Sequence, residues 1–297
     1  MNLRQMEVFR AVMLTGGVGG AAELLHVSQP AVSKVLAQAQ KQAGFALFER
    51  VKGRLVPTPE GQHLHAEIEA VWRGVERIRD VSRQLAAPRT GTLRLAVSAS
   101  VAPYLVPRAI ALLTEGFPEL KSQTEILIAP IMVNALLDHS ADLGVAMQPN
   151  EHPNLVAVQS YRCGFACAMR EDHPLAAKRA LKPADLRGER IITSPPGTPY
   201  GQALRRAYGP GHESLRLDLQ VRSSTSACWQ AQAGGGIAVV DRAAVAGESF
   251  RGLAVRSFQT REKLQVSILR NRYRPLSALQ KAFCTSFDRV WKEAMAE

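Results

Sequence analysis

The sequence predicts an α/β protein with a helical N-terminal domain, a long connecting helix and a larger C-terminal α/β domain. Three observations predict this order: apolar residues recur at helical spacing in roughly the first 60 positions, a seam with a period of about 3.5 residues follows, and strands alternate with helices from Thr92 onward. The chain has 297 residues, of which 46% are hydrophobic and 21% charged. This composition excludes a disordered or low-complexity protein and allows more than one hydrophobic core.

The N-terminal helices are predicted from their caps and apolar spacing. A first helix begins after Asn2, a favourable N-cap residue, and ends where the Thr15-Gly16-Gly17 segment breaks the pattern. A short second helix is expected at residues 21–25. A third helix is expected from Ser28 to Gly44, with Pro30 in its first turn, where a missing N–H costs nothing.

Residues 18–41 have the pattern of a helix-turn-helix, in which the N-terminal residues of the second helix contact base edges in the major groove of DNA. Gln29 offers an amide for an adenine edge, Ser33 a hydroxyl, and Lys34 a charge for guanine or phosphate. Two short strands are predicted after this motif, at residues 46–50 and 54–57, around a basic turn. The formal net charge of +11 is in keeping with a polyanionic partner.

A long helix is predicted to follow, with Thr58 as its cap and Pro59 at its first position. Its apolar positions are spaced alternately four and three residues apart; they are Leu64, Ile68, Val71, Val75, Ile78 and Leu85, with Ser82 at the remaining place. This is the spacing of a coiled-coil seam, so the helix is expected to form a dimer with a second copy of the chain. Packing of the helix on its own domain is the alternative.

The C-terminal region is predicted to alternate strands and helices after a breaker-rich hinge at residues 86–91. Predicted strands are 93–97, 121–128, 143–147, 156–161, 164–169, 189–193, 216–222, 237–240 and 264–269; predicted helices are 101–115, 131–138, 200–208, 226–233 and 277–294. This alternation favours βαβ units and a parallel sheet.

The cysteines and histidines predict neither a disulfide framework nor a metal site. If Cys163 and Cys167 share one extended strand at residues 161–169, they lie about 13 Å apart, too far for a disulfide. Buried, reduced thiols in a cytoplasmic protein are therefore expected, with a redox switch as the alternative. The histidines are scattered, and neither a membrane span nor a secretory signal is visible. No metal, other cofactor or membrane partner is predicted.

Three sequence blocks resemble the winged helix-turn-helix of LysR-type transcriptional regulators: residues 21–34 (AAELLHVSQPAVSK), 47–50 (LFER) and 57–61 (PTPEG). The length and the strand–helix pattern of the rest extend the resemblance to the whole chain. Residues 1–16 are similar in particular to the octopine and nopaline catabolism regulators of that family.

The resemblance implies three regions: a winged helix-turn-helix DNA-binding domain at 1–58, a linker and dimerisation helix at 59–87, and an effector-binding domain at 88–297. The effector domain is expected to resemble a periplasmic binding protein, with lobe I at 92–161 and 267–297 and lobe II at 162–266. The implied partners are double-stranded DNA, a small-molecule effector, further copies of the chain in a homodimer or homotetramer, and RNA polymerase.

The candidate DNA-binding residues lie on the third helix and on the basic hairpin, which the resemblance makes the wing. They are Ser28, Gln29, Pro30, Ser33, Lys34, Arg50, Lys52 and Arg54.

The candidate effector-binding residues lie mainly at three junctions where a strand leads into a helix, at residues 98–100, 196–199 and 223–226. Free backbone N–H groups at helix starts favour anions, so a ligand with a carboxylate is expected there; simple helix capping is the alternative. The residues are Ser98, Ser100, Gln148, Thr198, Tyr200, Ser223 and Thr225. Gln148 stands where the opine-sensing relatives are expected to have an acidic residue.

Two other function classes are weighed against a regulator. The chain has neither a GxSxG motif nor a Walker loop, and Gly234-Gly235-Gly236 precedes a predicted strand instead of following one, so an enzyme is not expected. A solute-binding transport receptor fits residues 92–297 but not the helical first 85.

Overall fold

Two units make up the structure, a computed structural model that describes residues 1–51, 53–86, 91–148, 151–209, 215–247 and 250–296. The units are Met1–Arg79 and Asp80–Glu297.

The N-terminal unit contains the predicted helices and hairpin. Its elements are α1 (Leu3–Thr15), α2 (Val18–Leu24), α3 (Gln29–Ala43), β1 (Phe48–Val51), β2 (Arg54–Pro57) and α4 (Pro59–Ala86), the last of which continues past the end of the unit. Asn2 caps α1 through a reciprocal pair: its side chain accepts from the Gln5 N–H at 3.0 Å, and the Gln5 side chain accepts from the Asn2 N–H at 2.8 Å. Ser28 is the N-cap residue of α3, but its hydroxyl makes no capping hydrogen bond.

The hairpin is fixed to the start of α4 by Thr58. Its hydroxyl donates to the Ala46 carbonyl at 2.7 Å and accepts from the Gly61 N–H at 3.0 Å, which confirms its capping role. Gly61 approaches the backbone of Leu47 so closely that a Cβ would collide with the Leu47 carbonyl oxygen. Residues of the PTPEG block, Thr58 and Gly61, therefore join the hairpin to the long helix.

The first half of α4 packs on its own domain. Ile68 is 2% exposed and belongs to the core formed by α1, α2, α3 and the residue Leu47. Trp72 is 6% exposed. Arg10 of α1 donates to Glu69 at 2.6 Å and lies over the Trp72 ring, 5.3 Å from its centre. In this half of the helix, the alternative prediction is therefore correct: the apolar side chains pack on their own domain.

Further along α4 the apolar seam is open. Val71 is 51% exposed and Ile78 is 68% exposed. They are seven residues apart, so they lie on one face of the helix. Among the described residues of α4, these two apolar side chains are therefore more than half exposed.

Two β-sheets form the C-terminal unit. The first has the order β4-β3-β5-β13-β6, and the second has the order β10-β9-β11-β7-β12-β8. The strands of the first are β3 (Gly91–Val97), β4 (Leu120–Ile126), β5 (Leu143–Met147), β6 (Leu155–Cys163) and β13 (Leu264–Asn271). The strands of the second are β7 (Phe165–Arg170), β8 (Ala180–Leu181), β9 (Arg190–Thr193), β10 (Arg216–Gln220), β11 (Ile237–Asp241) and β12 (Leu253–Phe258).

Five helices pack on these sheets. They are α5 (Leu105–Gly116), α6 (Ala129–Leu137), α7 (Pro199–Tyr208), α8 (Ser224–Gln232) and α9 (Ala278–Ala296). The first sheet with α5, α6 and α9 is called lobe I below, and the second sheet with α7 and α8 is called lobe II. The prediction of a parallel sheet is wrong, because both sheets are mixed: β13 runs antiparallel to β5 and β6, and β7 runs antiparallel to β11 and β12.

The chain passes from lobe I to lobe II at Gly164 and returns between Phe258 and Leu264. This crossing explains the mixed sheets, because the first strand after each crossing, β7 in lobe II and β13 in lobe I, runs antiparallel to the strands beside it. It also corrects the sequence-based placement of Cys163 and Cys167 on one strand: Cys163 ends β6 and Cys167 lies in β7. Residues 162–163 and 264–266, which the sequence predicts to be in lobe II, belong to the paired strands β6 and β13 of the first sheet.

Among the described helices, none combines the length and the apolar character that crossing a bilayer requires. The described residues also contain no group of three or more His, Cys, Asp or Glu side chains able to hold a metal ion.

Candidate functional sites

The start of α3 presents a polar, exposed surface. Val32, Leu36 and Ala39 face the core, which turns the opposite side of the helix outward. Five of the predicted DNA-binding residues are exposed on this outward side and at the helix start: Ser28, Gln29, Pro30, Ser33 and Lys34.

Gln29 sits beside the glycine-rich start of α2. A Cβ placed on Gly19 would lie 3.4 Å from the Gln29 amide nitrogen, which is an ordinary van der Waals contact. The Gln29 side chain therefore lies against this part of α2.

The described part of the hairpin has one exposed basic side chain, that of Arg50. Arg50 is exposed on β1 and pairs in register with Leu55, and Val51 pairs with Arg54. Lys52 lies outside the described residues, and so does the side chain of Arg54.

A cavity of about 540 Å³ lies between lobe I and lobe II of the C-terminal unit. Its walls come from the ends of β3, β4, β5, β9 and β11 and from the starts of α6, α7 and α8. Six of the seven predicted effector-binding residues line it: Ser98, Ser100, Gln148, Thr198, Tyr200 and Ser223. Thr225 does not; its hydroxyl donates to the Ala99 carbonyl at 3.2 Å and so links the lobes.

Two of the predicted hydroxyls act as helix caps. Thr198 Oγ1 accepts from the Gly201 N–H at 2.9 Å, and Ser223 Oγ accepts from the Ser226 N–H at 3.3 Å. Each cap satisfies one amide of its helix start. The earlier N–H groups of Tyr200, Ser224 and Thr225 have no acceptor within their helices, so the starts of α7 and α8 keep their capacity to bind an anion.

Gln148 is fixed by a neighbouring strand. Its Oε1 accepts from the Gln265 N–H at 2.7 Å, and its own N–H donates to the Gln265 carbonyl at 2.7 Å. Its φ of 48° lies in the left-handed region, which these two bonds help to maintain. Since Oε1 is occupied, the side chain offers its amide nitrogen as a donor.

The candidate residues did not include three residues of this region: Arg222, Asp241 and Ser224, the last of which lies within the predicted junction 223–226. Arg222 is exposed and lines the cavity directly before the Ser223 cap. Its position beside a predicted capping segment was the available signal.

Asp241 is completely buried at the end of β11. Its Oδ2 accepts from Ser100 Oγ and from Ser224 Oγ, both at 2.6 Å, and its Oδ1 accepts from the Ala244 N–H at 2.9 Å. Burial raises the pKa of Asp241, and these hydrogen bonds oppose the rise. The signal in the sequence was a single carboxylate directly after the apolar run Ile237–Val240.

The thiols offer little support for a redox site. All four cysteines are free and buried. Burial raises the pKa of Cys163 and Cys228 to about 12 and that of Cys284 to about 11, and it also raises the pKa of Cys167. Because the thiolate is the reactive form, these environments suppress oxidation.

Comparison with known proteins matches both parts of the chain. Residues 3–62 match the family described as "Bacterial regulatory helix-turn-helix protein, lysR family", and residues 86–292 match "LysR substrate binding domain". The transcriptional activator protein LysR of Escherichia coli K12 is 32% identical over 283 residues, which cover 95% of this chain and 91% of that protein.

Two further comparisons extend this result. The octopine catabolism/uptake operon regulatory protein OccR of Rhizobium meliloti is 33% identical over 242 residues, 81% of this chain and 80% of that protein. The crystal structure of full-length CbnR complexed with its target DNA has a TM-score of 0.76, with 21% identity, and covers 98% of this chain and 100% of that chain. At this identity the likeness to CbnR shows a shared fold.

Proposed function

The chain belongs to the LysR family of DNA-binding transcriptional regulators, and from this premise we propose that a small carboxylate- or amino-acid-like effector, bound between lobe I and lobe II, controls how the N-terminal domain holds DNA. The observation that carries the proposal is the cavity, which brings six predicted effector-binding residues together. The functional division is that of the sequence: residues 1–58 bind DNA, 59–87 link and dimerise, and 88–297 sense the effector. We propose that the regulator acts in the cytoplasm, where its DNA target lies.

The charge of the cavity supports an anionic effector group. The described residues that line it include Arg222 but no Asp or Glu side chain. The starts of α7 and α8 add backbone N–H donors and the positive ends of two helix dipoles. A carboxylate fits this wall better than a cation does.

The proposed assembly is a homodimer through the open part of the α4 seam, around Val71 and Ile78. Two helix-turn-helix heads on one dimer suit half-sites separated by a helical turn of DNA or a multiple of it. A homotetramer and contact with RNA polymerase stay predictions that rest on the family resemblance.

A change in DNA affinity requires that the effector bind two conformations of the regulator with different affinity. The cavity meets the structural condition, since both lobes contribute to its walls and a bound molecule contacts both.

Two variants, one on α3 and one on the hairpin, test the proposed DNA-binding roles. Gln29→Ala is expected to lose discrimination at one base position, by about 1–3 kcal/mol, because its amide reads a base edge. Arg50→Ala is expected to weaken binding to all DNA sequences alike, because the Arg50 guanidinium contacts phosphate. It is also expected to reduce the slope of log affinity against log salt concentration by about one. Selection of binding sites from a random DNA pool, followed by affinity measurements at several salt concentrations, separates the two effects.

Gln42→Ala is the matched control, since it removes the same amide from the exposed, opposite end of α3. It is expected to keep the wild-type site preference. Equal loss of base preference in Gln29→Ala and Arg50→Ala would contradict the assignment of base and phosphate contacts.

A further inference from the structure

Asp241 places a buried carboxyl group next to the cavity. Within the described chain its hydrogen-bond partners are two serine hydroxyls and one backbone N–H, and no cationic side chain pairs with it. A buried carboxylate is costly unless a positive charge or several donors compensate it. The donors around Asp241 are neutral, so a cation nearby would stabilise its ionised form further.

Two serines connect this carboxyl group to the cavity wall. Ser100 of lobe I and Ser224 of lobe II both line the cavity, and both donate to the same oxygen of Asp241. A serine hydroxyl has one proton and two lone pairs. With its proton directed at Asp241, each hydroxyl can only accept hydrogen bonds from any other neighbour.

Tyr200 extends the chain of hydroxyls. Its oxygen lies 3.2 Å from Ser224 Oγ, and Tyr200 also lines the cavity. Because the Ser224 proton is directed at Asp241, the Tyr200 hydroxyl is the donor in this contact. One lone pair of Ser224 is thereby used, and Ser100 keeps both of its own.

We infer that Asp241, acting through Ser100 and Ser224, makes this part of the cavity a site for a protonated amine, so that the effector is an α-amino acid or a derivative with a basic nitrogen. The inference deepens the proposed function and rests on it. Arg222 and the starts of α7 and α8 take the carboxylate, while the hydroxyls held by Asp241 take the ammonium group. Asp241 is a positioning residue, because the two serines stand between it and the ligand.

Matched pairs of ligands test this division of the cavity. Each pair differs only in the α-ammonium group: L-glutamate and glutarate, L-lysine and 6-aminohexanoate, L-arginine and 5-guanidinopentanoate, L-norleucine and hexanoate. Dissociation constants are measured by thermal shift and calorimetry on the full chain. The wild type is expected to bind the amine member of at least one pair about tenfold or more tightly than its partner, and Asp241→Asn to reduce that ratio to less than about threefold.

Two further variants keep the test decisive. Glu171→Gln removes a carboxylate from an exposed turn of lobe II away from the cavity and is expected to keep the wild-type ratio. Ser100→Ala removes an accepting oxygen but retains Asp241, so it is expected to lower the ratio even if Asp241→Asn does not fold.

The outcomes that overturn the inference are distinct from those that overturn the proposed function. If the deamino member of every binding pair binds the wild type as tightly as the amino acid, the inference fails and a simple carboxylate effector stands. If the amine preference survives in both Asp241→Asn and Ser100→Ala, the role of Asp241 is wrong. If no member of any pair stabilises the chain, the proposed effector class fails together with the inference.

Discussion

Replacing Ile78 with arginine is expected to convert the proposed dimer into a monomer at micromolar concentration. Ile78 is 68% exposed within its own unit, and the coiled-coil spacing of α4 places it at the seam with Val71. Burying one isoleucine side chain contributes about 1.5–3 kcal/mol, and a symmetric dimer buries two copies. The loss of about 3–6 kcal/mol raises the dimer dissociation constant by about two to four orders of magnitude. Analytical ultracentrifugation of the full chain measures this dissociation constant.

Glu76→Arg is the control for this variant. It introduces the same side chain two residues away, at an exposed position off the seam. It is expected to leave the dimer intact, since its side chain points away from the partner helix. A monomeric wild type, or an Ile78→Arg variant that still dimerises with the wild-type constant, would show that the open half of α4 has another role.

Replacing Gly197 with phenylalanine is expected to abolish effector binding while the chain remains folded. Gly197 lines the cavity, its φ lies outside the left-handed region, and a Cβ at this position meets no atom within 4 Å. A phenyl ring there occupies space that the ligand needs without straining the backbone. Loss of the cavity contacts is expected to weaken binding by at least about 100-fold, or about 2.7 kcal/mol. The measurement is the ligand-induced rise in melting temperature of the full chain.

Gly116→Phe is the matched control. Gly116 ends α5, does not line the cavity, and also has open space around a Cβ. It is expected to bind ligands as the wild type does. If Gly197→Phe melts like Gly116→Phe and still binds an effector normally, the effector site lies elsewhere in the chain.

The local features of the fold were predictable because short-range chemistry determines them. Asn2 and Thr58 cap helices with their own side chains, and Gly44 ends α3 with a φ of 80° that glycine adopts without strain. The positions of the three strand-to-helix junctions followed from the same kind of signal. Six of the candidate effector-binding residues were therefore placed at one cavity from sequence alone.

The long-range features were not predictable, since they depend on which segments meet. The two crossings between the lobes, at Gly164 and between Phe258 and Leu264, set the directions of β7 and β13, and strand periodicity carries no information on direction. Asp241 meets Ser100 across 141 residues of sequence, so its role shows only in the fold. The spacing of residues in α4 predicts an apolar stripe but does not predict which part of the protein packs against it. Ile68 is covered by its own domain and Ile78 is left open.

The most direct test of the proposed coupling measures DNA binding by the full chain with and without an amino acid that stabilises it in the thermal-shift screen. We expect that ligand to change the affinity for the selected DNA site, or the length of its footprint, and we expect Gly197→Phe to bind the same DNA without responding. A ligand that occupies the cavity of the wild type yet leaves DNA affinity, footprint and DNA bend unchanged would contradict control of the DNA-binding domain by the cavity.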